Sequence, residues 1–159
     1  MARKIKLYKE IYNNILNDEN FVRLSEFTDL EIAEALLESY KDSVDYENDE
    51  LKDFLIEISN IKKGLYGKYY EDLSIGIKKN GKLVSGLFVV IFRGEPTITY
   101  QFTIPEYRNL GLARENILKV ENILIKKGYK YLYTYLTITN IPAYNLYDSL
   151  NYIEEIELD

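Results

Sequence analysis

Apolar residues recur with two different periods along the chain, and the alternation between these periods predicts an order of helices and strands. Residues 4–16 carry apolar side chains every three or four positions, which predicts an amphipathic helix that the polar residues 17–20 end. Residues 21–24 are a short strand candidate. A capping box that starts at Thr28 precedes a helix predicted over residues 29–40.

The middle of the chain predicts a helix and an antiparallel hairpin. Residues 41–50 are polar and acidic and form a loop, and helical spacing then resumes over residues 51–61. Residues 73–78 and 82–92 have the composition of strands. Asn80-Gly81 joins them, and this dipeptide favours a two-residue hairpin turn. The two strands are therefore expected to pair antiparallel.

A strand, a helix and a second strand follow in the third part of the chain. Residues 97–104 are dense in β-branched and aromatic residues, a helix is predicted over residues 111–127, and tyrosines alternate along a strand predicted over residues 129–137. A strand–helix–strand passage normally places its strands parallel. With a short helix over 142–150 and a last strand over 152–158, the sequence predicts an α/β fold whose mixed, mostly antiparallel sheet has helices on both faces.

Composition limits the kind of protein that this chain can be. Its 159 residues predict one domain, with residues 1–20 as a helical extension. The net charge of −6 disfavours a nucleic-acid partner, which would require a basic face. No apolar run approaches the roughly 18 residues of a membrane span, so a cytoplasmic protein, monomeric or homodimeric, is expected. Because Cys and His are both absent, thiolate and imidazole metal sites and cysteine nucleophiles are excluded, and no metal site is predicted.

The turn after the central strand has the layout of an anion site. Residues 108–113 read Arg-Asn-Leu-Gly-Leu-Ala and lead directly into a predicted helix. The first turn of a helix has amides without partners and a partial positive charge, so phosphate oxygens can approach it.

Two motifs resemble those of a known family. Arg108-x-x-Gly111-x-Ala113 is similar to the pyrophosphate-binding signature of the GCN5-related N-acetyltransferases (GNAT), and residues 140–152 are similar to their closing motif, Asn-x-x-Ala-x-x-Leu-Tyr-x-x-x-Gly-Phe. The chain departs from the closing motif at Asn151, which replaces Gly, and at Tyr152, which replaces Phe. Asn tolerates the left-handed conformation better than other non-glycine residues, so the turn can persist.

The resemblance implies the acyl-CoA N-acyltransferase fold and acetyl-CoA as the acetyl donor. Tyr147 matches the family tyrosine that protonates or hydrogen-bonds the coenzyme A sulfur, and Asn140 would contact the cofactor or cap its helix. Arg108 would reach a phosphate or only stabilise the turn. The cofactor-binding residues implied in this way are Phe102, Thr103, Ile104, Arg108, Asn109, Leu110, Gly111, Leu112, Ala113, Asn140 and Tyr144.

The acceptor and the general base are less defined. The resemblance places the acidic loop on the acceptor side, where Asp45, Tyr46 and Glu47 are candidate substrate contacts; a solvated connector is the alternative. Without Cys or His, direct transfer in a ternary complex is favoured, to an amine of a small molecule or peptide. The base is then a carboxylate, a tyrosine or ordered water, and the candidate carboxylates are Glu95, Glu47 and Asp45. Two other functions stay open: an acyl-CoA sensor without turnover, and an unrelated α/β domain.

Overall fold

A single mixed sheet organises the protein, and the computed structural model describes residues 3–16 and 21–156 of it. Within these residues eight strands form the sheet in the order β2-β4-β5-β6-β7-β1-β8, and β3 pairs with β5. The strands are β1 Lys4–Glu10, β2 Phe21–Arg23, β3 Lys68–Tyr69, β4 Ile75–Lys79, β5 Lys82–Phe92, β6 Glu95–Thr103, β7 Tyr131–Thr137 and β8 Ile153–Glu154. The α-helices are α1 Asp29–Tyr40, α2 Leu51–Lys62, α3 Leu112–Lys126 and α4 Ile141–Ser149.

The helices cover both faces of the sheet and bury one core on each side. On one face α1 and α2 bury side chains such as Ile32 and Ile58 against Phe88 and Phe102 of the sheet. On the other face α3 and α4 bury a second cluster, which includes Val120. The two cores fix the sheet between them, because apolar burial is the main favourable term in folding.

Most of the predicted elements are confirmed. The capping box of α1 forms between Thr28 and Glu31, and the hairpin turns at Asn80-Gly81 with both residues at positive φ. β4, β5 and β6 pair antiparallel, whereas β6 and β7 pair parallel. Asn151 has φ 71°, as expected for the left-handed residue of the closing motif. None of the described helices has the length and apolar character needed to cross a membrane.

The predicted N-terminal helix is wrong, because residues 4–10 form strand β1. β1 pairs antiparallel with β7 on one side and with β8 on the other. Its inward positions are Ile5, Leu7 and Lys9, so the period is two, but a charged residue at the third of them hides the alternation. Residues 17–20, predicted to end the helix, and the end of the predicted last strand, residues 157–158, lie outside the described residues.

A buried ion pair explains the inward lysine. Lys9 is 4% exposed and donates to both carboxylate oxygens of Glu121, at 2.8 and 3.0 Å, and Glu121 of α3 is fully buried. The Tyr152 hydroxyl donates to the same carboxylate at 2.9 Å. These contacts connect the first strand, a helix and the end of the chain through charge-assisted hydrogen bonds.

We expect Glu121→Gln to lower the free energy of unfolding by about 3–5 kcal/mol, because it leaves the Lys9 ammonium buried without a counter-charge. Urea denaturation measures the change. As a control, Glu34→Gln on the exposed side of α1 should shift the same quantity by about 0.5 kcal/mol or less. The double variant Lys9→Met/Glu121→Leu should recover most of the loss. A Glu121→Gln effect no larger than that of the control would contradict this role of the pair.

Candidate active site

The sheet opens between β6 and β7, and this opening is the centre of the site. The two strands pair only at Thr97 with Tyr133 and at Ile98 with Thr134. Both then continue, β6 to Thr103 and β7 to Thr137, without further pairing to each other. The wedge between the diverging ends exposes a strand edge, to which an extended ligand can add as a further strand.

Backbone direction decides which residues of β6 line the wedge. The Ile104 amide donates to the Val84 carbonyl at 2.9 Å, so in the antiparallel ladder Phe102 and Ile104 direct their backbone groups toward β5. Thr103 and Gln101 therefore face the wedge. Of the three residues here that were predicted to contact the cofactor, Thr103 has its backbone groups in the wedge, whereas those of Phe102 and Ile104 face β5. Gln101, which was not among the predicted residues, also faces the wedge. Without the register of β5, the sequence does not show which alternate residues face outward.

The end of α1 covers part of this edge. The Ser39 hydroxyl donates to the Thr103 carbonyl at 3.0 Å and accepts from the Thr103 amide at 3.1 Å. The Tyr40 hydroxyl donates to the Gln101 carbonyl at 3.2 Å. Burial raises the pKa of the Tyr40 phenol, and the charge of Asp45 raises it further. Tyr40 is therefore a neutral donor at the mouth of the wedge.

Arg108 braces α1 instead of extending into open space. Its guanidinium donates to both oxygens of Asp42, at 2.6 and 3.0 Å, and to the Ser39 carbonyl at 2.6 Å. These bonds hold the pKa of the Asp42 carboxyl below its usual range. In this structure the Arg108 side chain therefore takes the second of its two predicted roles, stabilisation of the turn.

The turn after β6 presents a row of free amides. From Asn109 to Arg114 no backbone amide has an acceptor in the part of the chain that the structure describes, and the first to have one is Glu115, which donates to the Gly111 carbonyl at 3.0 Å. Gly111 has φ 80°, and a Cβ placed there would meet nothing within 4 Å. The N-terminus of α3 is therefore an open set of donors at the positive end of the helix dipole.

Tyr147 lies at the apex of the wedge. Its hydroxyl interacts with Thr134, the last β7 residue paired with β6, and its ring packs edge-on against Tyr152 with centroids 5.2 Å apart. The side chain is 2% exposed, and burial raises the pKa of its phenol to about 12. At neutral pH Tyr147 can donate a proton but holds no charge.

The closing motif also contacts a carboxylate, at the start of α4. Asn140 caps α4 by accepting from the Ala143 amide at 3.3 Å, and its side-chain amide donates to Asp45 at 3.0 Å. Residues 140, 144 and 147 lie on one face of α4 by helical spacing. Tyr144 is 42% exposed on that face. Asp45 is thus the predicted acceptor-loop residue that the structure connects directly to the motif.

The other predicted acceptor contacts and bases have different surroundings from Asp45. The Tyr46 hydroxyl donates to the Asp49 carbonyl at 3.2 Å within its own loop, and Glu47 is exposed. Glu95 begins β6 and pairs with Lys6 at 2.8 Å. It lies three residues before Ile98, roughly 10 Å along the strand from the point where β6 and β7 separate. Its carboxylate is bonded to a lysine ammonium, and its role as a base stays a prediction.

The prediction from sequence did not include one carboxylate beside the wedge. Glu57 of α2 accepts from the Tyr100 hydroxyl at 2.9 Å and from the Tyr66 hydroxyl at 2.8 Å. Tyr100 lies on β6, and its ring packs edge-on against Tyr40 with centroids 6.1 Å apart. Glu57 occupies an ordinary position in an amphipathic helix, so no sequence signal could have identified it.

Comparisons with solved structures place this geometry on a known fold. A putative GNAT-family acetyltransferase from Novosphingobium aromaticivorans superposes with a TM-score of 0.69 at 20% identity, over 97% of this chain and 60% of that chain. The ribosomal-protein-S18-alanine N-acetyltransferase of Escherichia coli matches at 0.66 and 23%, over 86% and 78%. The paia N-acetyltransferase of Thermoplasma acidophilum, solved with coenzyme A, matches at 0.63 and 15%, over 91% and 87%.

The length of the match differs among these structures. The chain spans 60% of the Novosphingobium protein and 49% of a GCN5-related N-acetyltransferase from Sphaerobacter thermophilus. No curated protein sequence matches it significantly. The sequence model of the Acetyltransferase (GNAT) family matches residues 30–152. Since that match includes both motifs and most of the chain, the protein belongs to the GNAT acetyltransferase family.

Proposed function

We propose that the protein transfers an acetyl group from acetyl-CoA directly to an amine of a small molecule or peptide in a ternary complex. The observation that carries this proposal is the row of amides from Asn109 to Arg114, which have no acceptors among the described residues and follow the strand that opens. A diphosphate supplies the acceptors that such a row lacks. Acetyl-CoA combines a diphosphate with an extended amide-bearing arm and a thioester.

The wedge fits the arm of this substrate. Gln101 and Thr103 direct backbone groups into it, and an extended pantetheine can pair with them as a strand pairs with an edge. The Ser39 hydroxyl now bonded to Thr103 would give up those bonds, and Arg108 would keep α1 braced meanwhile. Leu110, Leu112, Ala113 and Tyr144 remain proposed neighbours of the cofactor through their positions beside the turn and on α4.

The chemistry then follows from the groups at the apex. The amine nitrogen attacks the thioester carbonyl carbon, the carbon–sulfur bond breaks, and the Tyr147 hydroxyl protonates the leaving thiolate. Asp45, which the structure holds beside Asn140, accepts the proton that the amine loses. A phenol whose pKa is about 12 stays protonated at physiological pH and is therefore available as the acid.

An acyl-CoA-binding domain without turnover is the second candidate. The observation that favours it is the 2% exposure of Tyr147, since a proton donor must reach the sulfur that it serves. The two candidates separate in one assay across an amine library: binding of acetyl-CoA with release of free thiol supports the transferase, and binding without thiol release supports the sensor.

Gly111→Val should weaken acetyl-CoA binding by at least about tenfold, because the added methyls occupy the space in front of the free amides. Equilibrium dialysis measures the dissociation constant. Gly94→Val is the matched control, because Gly94 has φ 79° and a Cβ there also meets nothing within 4 Å, while it lies in the β5–β6 turn away from the wedge. Both variants bear the same kind of backbone strain. Equal binding by the two would contradict the placement of the diphosphate.

Tyr147→Phe should lower kcat by about 100-fold, the low end of the range for general acid catalysis, and should leave acetyl-CoA affinity nearly unchanged. Steady-state kinetics and equilibrium dialysis measure the two quantities separately. Tyr131→Phe, on the exposed face of β7, is the control and should change neither. An unaltered kcat in Tyr147→Phe would remove this residue from the chemistry.

A further inference from the structure

A buried asparagine lies in α3 shortly after the free amides that begin this helix. Asn116 is fully buried, and its side-chain nitrogen donates to the Ser85 hydroxyl of β5 at 3.0 Å. Its side-chain oxygen has no donor in the part of the chain that the structure describes. A buried acceptor without a partner lowers stability and is rare in native proteins, so its presence requires a physical explanation.

Ser85 connects this asparagine to the end of β6. Its hydroxyl is fully buried, donates to the Phe102 carbonyl at 3.0 Å and lies 2.8 Å from the Thr103 hydroxyl. Since a hydroxyl has one proton, its other two partners, Asn116 and Thr103, must both donate to it. The group of Asn116 that faces Ser85 is therefore the nitrogen, and the oxygen of the same amide stays unpaired.

Thr103 is held by two sets of hydrogen bonds, and a ligand in the wedge displaces only one of them. Its backbone amide and carbonyl bond the Ser39 hydroxyl, which an extended arm has to replace. Its side-chain hydroxyl bonds Ser85 instead. While Ser39 is displaced, the bonds through Ser85 remain and keep the end of β6 in place. They also fix this end relative to α3, because Asn116 belongs to that helix.

We propose that Asn116 is a positioning residue, which fixes the strand edge for the pantetheine arm relative to the amides for the diphosphate. The inference rests on the proposed function, because both parts belong to one coenzyme A molecule. The edge ends β6, the amides begin α3, and the turn of residues 104–111 joins them. A ligand that binds both at once gains affinity when their spacing is set in advance. The unpaired oxygen of Asn116 is retained because the nitrogen of the same amide is needed at Ser85.

Asn116→Leu tests this role, because leucine keeps the branched shape of the side chain and removes both polar atoms. Ser85 keeps its bonds to Phe102 and Thr103, and the unpaired acceptor is gone, so the midpoint of urea denaturation should not fall below that of wild type. The dissociation constant for coenzyme A, measured by equilibrium dialysis, should nevertheless rise by at least about tenfold. A residue that served stability alone would not separate these two quantities.

Two further variants control for stability and for crowding. Asn122 is another buried asparagine of α3, which exchanges hydrogen bonds with the backbone of Asn14. Asn122→Leu should therefore lower the midpoint and leave the affinity for coenzyme A unchanged. Asn116→Ala removes the same amide without adding volume and should lose affinity as Asn116→Leu does. Normal binding by Asn116→Ala would attribute the effect of leucine to crowding and overturn the inference.

Backbone amide resonances report the two parts of the site separately. Coenzyme A should shift the Thr103 amide together with those of residues 109–114 in wild type. In Asn116→Leu, higher concentrations should still shift residues 109–114 and leave Thr103 in place. Equal affinity in wild type and Asn116→Leu, a midpoint that falls as in Asn122→Leu, or a Thr103 amide that still shifts would each show the inference to be wrong.

The same measurements distinguish a failure of this inference from a failure of the proposed function. If wild-type protein does not bind coenzyme A, both are wrong. If wild type binds coenzyme A and releases thiol with an amine, but Asn116→Leu binds equally well, only the positioning role is wrong. If Asn116→Leu weakens binding as expected and wild type releases no thiol with any amine, the positioning role stands and the transferase proposal fails.

Discussion

The divergence of β6 and β7 after Ile98 and Thr134 is the constraint on which the rest of the structure depends. Two neighbouring parallel strands would normally continue their ladder, because unpaired backbone groups inside a sheet lose hydrogen bonds. Here the ladder stops in the middle of both strands, and side chains from α1 satisfy part of the exposed edge. The opening is therefore built into the fold, with its hydrogen bonds supplied by groups that a ligand can replace.

Several contacts hold the two sides of the opening apart. On the β6 side, Arg108 fixes the end of α1 through Asp42 and the Ser39 carbonyl. On the β7 side, β1 pairs along the whole strand, and Lys9 ties it to Glu121 and so to Tyr152. Tyr152 in turn packs against Tyr147. The N-terminal strand thus supports the apex of the wedge from behind, through a chain of buried contacts.

The sequence predicted the elements whose signals are local. The capping box at Thr28, the Asn80-Gly81 turn and the spacing of the two motifs each depend on a few neighbouring residues, and each is confirmed in its structural form. The N-terminal strand was mistaken for a helix because Lys9 occupies an inward position that only a distant carboxylate, Glu121, makes tolerable. The hydrophobic pattern within one segment carries no information about a residue of another segment that packs against it.

The candidate site was likewise predictable only where its signals are local in the sequence. Motif spacing predicts Asn140, Tyr147 and the turn at Gly111 as site residues, and the structure shows Gly111 at positive φ in front of amides without acceptors among the described residues. It did not identify Gln101, since the direction of its backbone depends on the pairing of β5 with β6, which includes a bulge. Motif spacing also did not identify Glu57, because its hydrogen bond with Tyr100 joins α2 to β6, which are distant from each other in the sequence.

The most direct measurement is a titration of isotope-labelled protein with coenzyme A, followed by the backbone amide resonances in nuclear magnetic resonance spectra. If free donors of the α3 turn receive the diphosphate, the amides of residues 109–114 should shift most, together with Gln101 in the wedge, while the amides of the β5–β6 turn around Gly94 stay in place. Saturable binding that leaves residues 109–114 unshifted, or that shifts the distant turn instead, would contradict the account.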